Sequence, residues 1–417
     1  MNKYIQNPDI IIIGAGAAGL LAAITAAKAG LKTIVLEKMQ RPARKLRITG
    51  KGRCNITNSA PLNEFLPHFG ANSNFLQPAF NNFFAPDIMR LLEKTGVELV
   101  TERGGRVFPT SGKAAQVVDA LVYAAESAGA KIICNHPVRN LIINNNIITG
   151  VQCAAETFHA PNIILATGGK SYPATGSDGD GYRLARQAGH TIIPPLPALV
   201  PLVSSDPVIP KLNGLNLRNV RAKLFANDIQ IDEQFGEMTF AEYGLTGPII
   251  LTASGIAVQH LHTGEKMKIC IDLKPALSPQ KLSNRLQRDL QKRAREPMSS
   301  ILRGLLPRQL IRPALRACKI QPHRGGSSIG ENERLRLLHW LKNFTLSIDN
   351  HRPWSEAIIT AGGVDTNEIS STTMQSKITA GLYITGELLD IQADTGGYNL
   401  QAAFSTAYTA LQAIISQ

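Results

Sequence analysis

The chain has 417 residues, 44% of them hydrophobic and 18% charged, with a formal net charge of +13. This composition excludes a disordered or fibrous polymer, and the length suits roughly two or three domains whose cores need no disulfide staples. Five cysteines without a Cys-x-x-Cys pair argue against a zinc ribbon, a redox dithiol or a disulfide framework, and point to reduced thiols in a cytoplasmic protein.

The first long apolar run, residues 10 to 27, carries no charge and is close to a short membrane span in length. Its pattern is wrong for one. Four isoleucines are followed at once by Gly14, Gly16 and Gly19, so a strand runs into a turn, and the preceding MNKYIQNPD is a poor signal n-region. No later stretch reaches spanning length, so no membrane insertion is expected. The run predicts strand, glycine turn and helix instead. Gly14, Gly16 and Gly19 fit G-x-G-x-x-G: the first allows the tight turn, the second lets backbone approach a pyrophosphate, and the third lets helix pack on strand. The second strand, LKTIVLEK, ends in Glu37, about 20 residues on, where an acid binds ribose hydroxyls. A glycine-rich turn in some other α/β protein would not need all three features. The acid favours an unphosphorylated ribose, hence FAD or NAD rather than NADP.

Residues 42–58, PARKLRITGKGRCNITN, read as a long basic loop with Arg44, Lys45, Lys51 and Arg53. Such a loop suits a ligand with extra phosphate and ribityl surface, or is merely solvated. A helix is predicted from Pro86 to Gly96 and another in GKAAQVVDALVYAAESAG. KIICN and VRNLIINNNIITGVQC predict strands, with the Asn run as a hairpin turn. Ile163 to Leu165 read as a buried strand ending in Ala166-Thr167-Gly168-Gly169, with a helix from about Gly181. The proline-rich 192–202 and NHRPWSEA at 350–357 punctuate the chain, and an inserted domain is expected between them. The expected division is 1–193 with 355–417, interrupted by 194–354 (194–275 mostly β, 276–330 basic and helical, 331–354 returning). Within 281–324 there are 12 Lys/Arg against 2 Asp/Glu. That segment has no Phe, Tyr or Trp for base stacking, and its leucines recur at helical spacing, so a solvated basic face on a packed helix competes with a nucleic-acid surface. Last comes GLYIT, then Gly386-Glu387, then Gly396-Gly397 opening a long helix of small residues.

GAGAAG with Glu37, the ATGG strand, TGSDGDGY and the late GE…GGYNLQ together resemble the two-dinucleotide-binding-domain flavoproteins. The ATGG element is similar to that of the fumarate reductase and aspartate oxidase group. KLRITGKGRCNITN, GGRVFPTSGKA, ATGGKSYPATGSDGDGY, AGGVDTNEI and TGGYNLQAAFSTAY resemble the bacterial BaiN/YhiN-type flavoproteins, described as NAD(P)/FAD-dependent oxidoreductases or the aminoacetone oxidase family. One departure is Ala241-Glu242, where many members show Thr-His, which puts any role of that His in doubt.

The resemblance implies an α/β fold: a Rossmann-like FAD-binding domain, a parallel sheet with helices on both faces, interrupted by an inserted β-rich domain carrying a helical subdomain. It also implies these FAD contacts: Gly14, Ala15, Gly16, Ala18 and Gly19 at the pyrophosphate, and Glu37 and Lys38 at the adenosine ribose. Arg44, Lys45, Gly50, Gly52, Arg53, Cys54 and Asn55 would cover the ribityl and diphosphate region. Val138 would touch adenine, and Ala166, Thr167 and Gly168 would line the nucleotide. Gly386, Glu387, Gly396, Gly397, Tyr398, Asn399 and Leu400 would surround the ribityl chain and ring.

Hydride transfer is the cofactor's chemistry, so no protein nucleophile is required and none is legible. Lys170, Ser171 and Tyr172 stand as substrate contacts near the ring or as a packing loop, Cys54 as a ring neighbour or a packed small residue, and Glu242 as a general base if the insertion folds over the flavin. No metal site is expected. A second G-x-G-x-x-G is missing, so NAD(P)H stands only as a transient electron donor, and oxygen stays open as an acceptor. Three functions are weighed: an FAD-dependent oxidoreductase with a small-molecule substrate, an FAD-bearing nucleic-acid-acting protein such as a tRNA-modifying flavoenzyme, and a flavin-binding protein without turnover. The oligomeric state is not legible.

Overall fold

The computed structural model describes residues 7–417, so the opening MNKYIQ lies outside the described residues. The chain divides into two compact units: residues up to Pro197 together with Trp354–Gln417, and Ala198–Pro353.

The first unit is built on a five-stranded parallel sheet in the order Leu382–Ile384, Asn162–Leu165, β1 (Ile10–Ile13), β2 (Thr33–Leu36), Lys131–Ile133. β1 lies at the centre and is buried along its whole length, which is why it is four β-branched apolar residues rather than an alternating strand. The helix α1 (Ala17–Lys28) follows, and it packs on Ala114–Ser127 and on the last helix, Tyr398–Ile415. Alanine and glycine dominate α1 because three elements meet it. Against the Asn162–Leu165 strand lies a second layer, the antiparallel sheet Val138–Asn144, Ile147–Cys153 and Thr157–His159. Its hairpin turns at Asn145 and Asn146, both with positive φ (49° and 60°), the left-handed pair that a two-residue hairpin needs.

Three segments differ from the sequence expectation. Arg44–Gly52, read as a loop, begins as a helix, α2, whose regular turn ends at Thr49, where φ/ψ leave the helical region. The basic side chains that looked loop-like are the outer face of a short helix buried only at Leu46. The proline-rich segment forms a strand, Ile192–Ala198, beside Ile359–Val364. Prolines are tolerated there because a two-stranded sheet leaves an edge whose N–H groups need no partner.

The second unit carries a seven-stranded sheet whose long hairpin, Asn216–Ala226 with Ile229–Ala241, is flanked by Met267–Asp272 and Gly244–Thr246. Its strand-rich part also contains a 15-residue helix, Pro248–His262. The apolar run PIILTASGIAV did not signal this helix, because β-branched residues mask the period. The basic segment is helical. Pro279–Lys292 buries Leu282, Leu286 and Leu290, and Arg308–Ala317 buries Leu310, Ile311, Ala314 and Leu315. Between them Arg295 and Arg303 stay exposed, while Arg293 is half-buried and pairs with Glu296. Among the described residues, no helix is long and apolar enough to cross a membrane.

His190, fully buried, ties the end of Asp180–Gln187 to two later loops. Ser376 Oγ accepts N–H groups from Ile378 and Thr379, so its proton goes to His190 Nε2 at 2.8 Å, and Nδ1–H donates to Glu368 at 3.0 Å. Burial holds the imidazole below its ordinary value near 6.5, against the pull of Glu368. The unfolded chain therefore binds a proton that the folded chain refuses, and stability declines as pH falls below about 6.5. Thermal melts at pH 7 and pH 5 should show that loss, and His190→Gln should flatten it.

Candidate functional site at the carboxyl ends of the parallel strands

The strands end in register. Gly14 N–H donates to Leu36 O, Glu37 N–H to Ile133 O, Ala166 N–H to Ile13 O and Thr385 N–H to Leu165 O, all within 3.0 Å. The loops leaving these ends hold most of the residues singled out above, at the edge where open α/β sheets bind ligands.

Each fingerprint glycine has its own reason. Gly14 has φ +99°, and a Cβ there would stand 2.6 Å from Ala166 O. A Cβ on Gly19 would stand 1.9 Å from Gly14 O. Gly16 is different: its φ is −82°, and a Cβ there would meet nothing within 4 Å. It caps α1 on its open side, where the helix presents N–H groups without intrahelical partners. This donor set fits a pyrophosphate. Ala15 and Ala18 are buried beside it, and Gly386 (φ +69°) approaches Ala18, a Cβ there coming within 3.3 Å.

Glu37 is buried. Its Oε2 accepts Ala15 N–H at 2.9 Å and its Oε1 accepts Met39 N–H at 2.8 Å. Burial pushes its carboxyl up, opposed by those two bonds and by Lys38. Each oxygen keeps a lone pair for a hydroxyl donor. The His136 N–H donates to Glu37 O at 2.9 Å, which brings the start of the Val138–Asn144 strand, with buried Val138, alongside. Lys38 turns away: its ammonium is bound by Asp178 (2.6 Å) and Asp180 (2.8 Å), at the start of Asp180–Gln187.

The loop after α2 is strained. Lys51 (φ 57°) and Cys54 (φ 61°) join Gly50 (57°) and Gly52 (82°) in the left-handed region, where L side chains cost energy. Cys54 is fully buried and burial pushes its thiol up to about 12, so it stays protonated at neutral pH and packs as a small apolar residue. Arg53 pairs with Glu102 and stacks over Phe108, and Arg44 is exposed on α2. Asn55 Oδ1 is buried with no protein partner.

A second cluster links segments far apart in sequence. Lys45 Nζ donates to Ser171 Oγ and to Glu387 Oε2, each at 2.6 Å. Glu387 Oε1 accepts Thr360 N–H at 2.8 Å and the Ser171 hydroxyl at 3.1 Å. Thr360 Oγ1 accepts Lys170 N–H (2.7 Å) and Ser171 N–H (3.2 Å). The Lys170 ammonium lies over the Trp354 ring at 5.1 Å, and Tyr172, at φ 53°, donates its N–H to Trp354 O. Thr167 and Gly168 lie on the approach to this cluster, where a Cβ on Gly168 would reach 3.2 Å from Ser177 Oγ.

At the last helix, Gly397 (φ +101°) is the N-cap and packs so tightly that a Cβ would stand 2.3 Å from Thr57 O. The Asn58 amide donates to Gly396 O, and Asn399 Oδ1 accepts Ala393 N–H at 2.9 Å. Tyr398 and Leu400 form the first turn. Gln392 Oε1 is a second buried oxygen without a protein partner. Glu242 belongs to the other unit, exposed in the turn between Ile229–Ala241 and Gly244–Thr246. Sequence reasoning missed Thr360 and Gln392, since a lone Thr or Gln carries no motif. An open groove of about 630 Å³, lined by residues including Val97, Lys113, Asp119 and Tyr123, shares none of the residues above.

Residues 8–413 match the family described as HI0933-like protein Rossmann domain. The chain belongs to that family. It is an FAD-dependent oxidoreductase. It is 31% identical over 401 residues to a 3-dehydro-bile acid Δ(4,6)-reductase of Clostridium scindens, covering 96% of this chain and 97% of the relative. It is 30% identical to a ribosomal RNA dihydrouridine synthase of Haemophilus influenzae, covering 100% of both. Among solved structures, a 3-ketosteroid Δ1-dehydrogenase from Sterolibacterium denitrificans superposes with a TM-score of 0.55 at 13% identity, over 99% of this chain and 100% of that one. A quinol-fumarate reductase superposes at 0.53 and 17% identity, over 99% and 72%. These two likenesses establish the shared fold.

The glycine geometry separates two outcomes. Gly16→Val should melt within about a degree or two of the wild-type apoprotein yet fail to retain FAD, read as loss of visible absorbance. Gly19→Ala should lower stability by about 2 kcal/mol or more through overpacking, read by denaturant unfolding.

Proposed function

We propose that this enzyme saturates a carbon–carbon double bond conjugated to a carbonyl group. One observation carries the reading. Two relatives, each matched over nearly their whole length, have names that describe one bond change on different molecules: a dehydro-bile acid reductase saturates a carbonyl-conjugated bond, and a dihydrouridine synthase saturates the uracil bond beside a carbonyl. Bound FAD, once reduced, supplies the hydride equivalent.

The chain's own residues bind and orient. Gly14 to Gly19 and the α1 N-terminus take the pyrophosphate, and Glu37 takes the adenosine ribose with Val138 beside the adenine. Asn55 and Gln392, each with a buried acceptor oxygen, meet donor groups of the ribityl and ring region. Lys45, clamped by Glu387 and Ser171, places a positive charge there. Lys170, Tyr172 and Trp354 meet the substrate. A dihydronicotinamide reduces the flavin in passing. With its free cysteines, the enzyme works in the cytoplasm.

The favoured substrate is a small organic enone. A second reading, a uracil base carried in RNA, is favoured by one feature, the exposed arginines of 281–324 (Arg288, Arg303, Arg308, Arg312 and Arg316 among them).

The purified protein should be yellow and release FAD on acid treatment. Dithionite-reduced protein, held anaerobically, should be reoxidised by 2-cyclohexen-1-one or a 4-en-3-one steroid, with the saturated ketone as product. Reoxidation by unmodified ribosomal RNA alone, with dihydrouridine formed and the rate falling steeply with salt, would establish the second reading. No reoxidation by either class would sink both.

A further inference from the structure

A histidine–carboxylate dyad stands at the N-terminus of the last helix and has no part in the site as described above. His68 lies in the 3₁₀ turn Leu66–Asn72, and its Nδ1 is 2.9 Å from Asp394 Oδ2. A carboxylate can only accept, so Nδ1 carries the proton and Nε2 is the free nitrogen. Among the described residues Nε2 makes no hydrogen bond, and the side chain is 34% exposed. The ring stacks on Tyr398, the first residue of Tyr398–Ile415, with centroids 3.9 Å apart and planes at 21°.

The dyad is rigid on both sides. Beneath it, Tyr398 meets Phe65 edge-on at 4.8 Å, and Phe65 packs against Phe80 and Phe84 at 5.2 and 5.0 Å. The Asn72 amide donates to Asp390 O at 2.7 Å, tying the His68 turn to the loop that carries Asp394. The Asn399 amide donates to Ala393 O and Asp394 O, fixing that loop to the helix. An imidazole oriented by a carboxylate, with its second nitrogen open to solvent beside a glycine-capped helix start, is the arrangement of a general acid–base.

We propose that His68 is the proton donor of the reduction and Asp394 its positioning residue. This rests on the reading that the flavin ring lies at Gly396–Leu400. As hydride from reduced FAD forms the new C–H bond on the carbon β to the carbonyl, the C=C π pair moves toward the carbonyl. The α carbon then takes the Nε2 proton of the doubly protonated His68 ring, whose Nδ1–H stays on Asp394, and the neutral imidazole with Nε2 free is left behind. The substrate gains two electrons and two hydrogens, FAD is left oxidised, and His68 recovers its proton from water. A dihydronicotinamide or dithionite restores the reduced flavin. The charged and titratable groups around His68 are Asp394 and Tyr398 in contact, with Glu64 and Asp390 on the adjoining segments; Asp394 and Glu64 both face the Tyr398 phenol and hold it up, after burial.

The test uses the full-length FAD-loaded protein and two variants, His68→Gln and Asp394→Asn. Single-turnover reoxidation of dithionite-reduced enzyme by 2-cyclohexen-1-one or by ribosomal RNA, whichever reoxidises the wild type, is followed against pH. The expected result is a loss of roughly 100-fold in His68→Gln, with the neutral-range limb of the pH profile abolished and FAD content unchanged. Asp394→Asn should lose about tenfold and displace the limb. A second readout needs no turnover: the His68 Cε1–H signal, assigned by its loss in His68→Gln, should shift when FAD is added to apoprotein, and should move again in Asp394→Asn as the ring loses its carboxylate partner. A His68→Gln enzyme that keeps both rate and limb, or a His68 signal indifferent to FAD, overturns the proposal. So does a limb that vanishes in Glu242→Gln alone. If neither acceptor reoxidises wild-type enzyme, the reduction reading itself has failed; an FAD-responsive His68 signal would still place the dyad at the ring.

Discussion

At Gly19 the backbone of α1 lies so close to the end of β1 that a single methyl would stand 1.9 Å from the Gly14 carbonyl oxygen. That approach sets the height of the helix N-terminus over the sheet edge. It leaves Gly16 facing open space while Gly14 is pressed on Ala166, so one turn is at once a packing joint and a donor surface. The neighbouring strands end level with it, and the loops bearing Glu37, Gly168 and Glu387 inherit their positions from that alignment. An anion site made of backbone N–H groups cannot tolerate drift, because its donors are fixed to the helix.

Electrostatic ties then hold the longer loops. Lys45 reaches across more than 300 residues of sequence to Glu387, and Lys38 reaches Asp178 and Asp180. Apart from the exposed Asp178, these groups are partly buried, where a charge needs a partner and competing water is scarce. This explains why a segment so rich in Lys and Arg need not be a solvated surface. It also divides the labour: Glu37 answers two backbone N–H groups and keeps lone pairs spare, whereas Lys38 is committed to carboxylates.

Where local pattern and tertiary demand agreed, the elements could be read from the chain: the Ile10–Ile13 strand, the fingerprint helix, the Asn145–Asn146 hairpin and the glycine-capped last helix. Where they disagreed, the environment won. Ile192–Ala198 pairs as a strand in spite of its prolines, because its neighbour asks for few N–H donors. Pro248–His262 is helical in spite of its β-branched residues, because it packs on the long hairpin. Cys54, left open by the sequence between a ring neighbour and a packed small residue, has its thiol completely buried by the fold.

The sequence by itself determined the fingerprint turn and the acid that ends the second strand, because a dinucleotide-type site is built from backbone and one acid at a set distance, and both leave a spacing in the chain. Only the tertiary structure brought together the polar groups that leave no spacing in the chain. Thr360 comes from the strand Ile359–Val364, Gln392 and the His68–Asp394 pair from turns and loops, none with a motif of its own, and His68 and Asp394 are 326 residues apart. Hydrogen bonds of a few ångströms join residues with no sequence relation to one another, so their meaning exists only once the chain has folded.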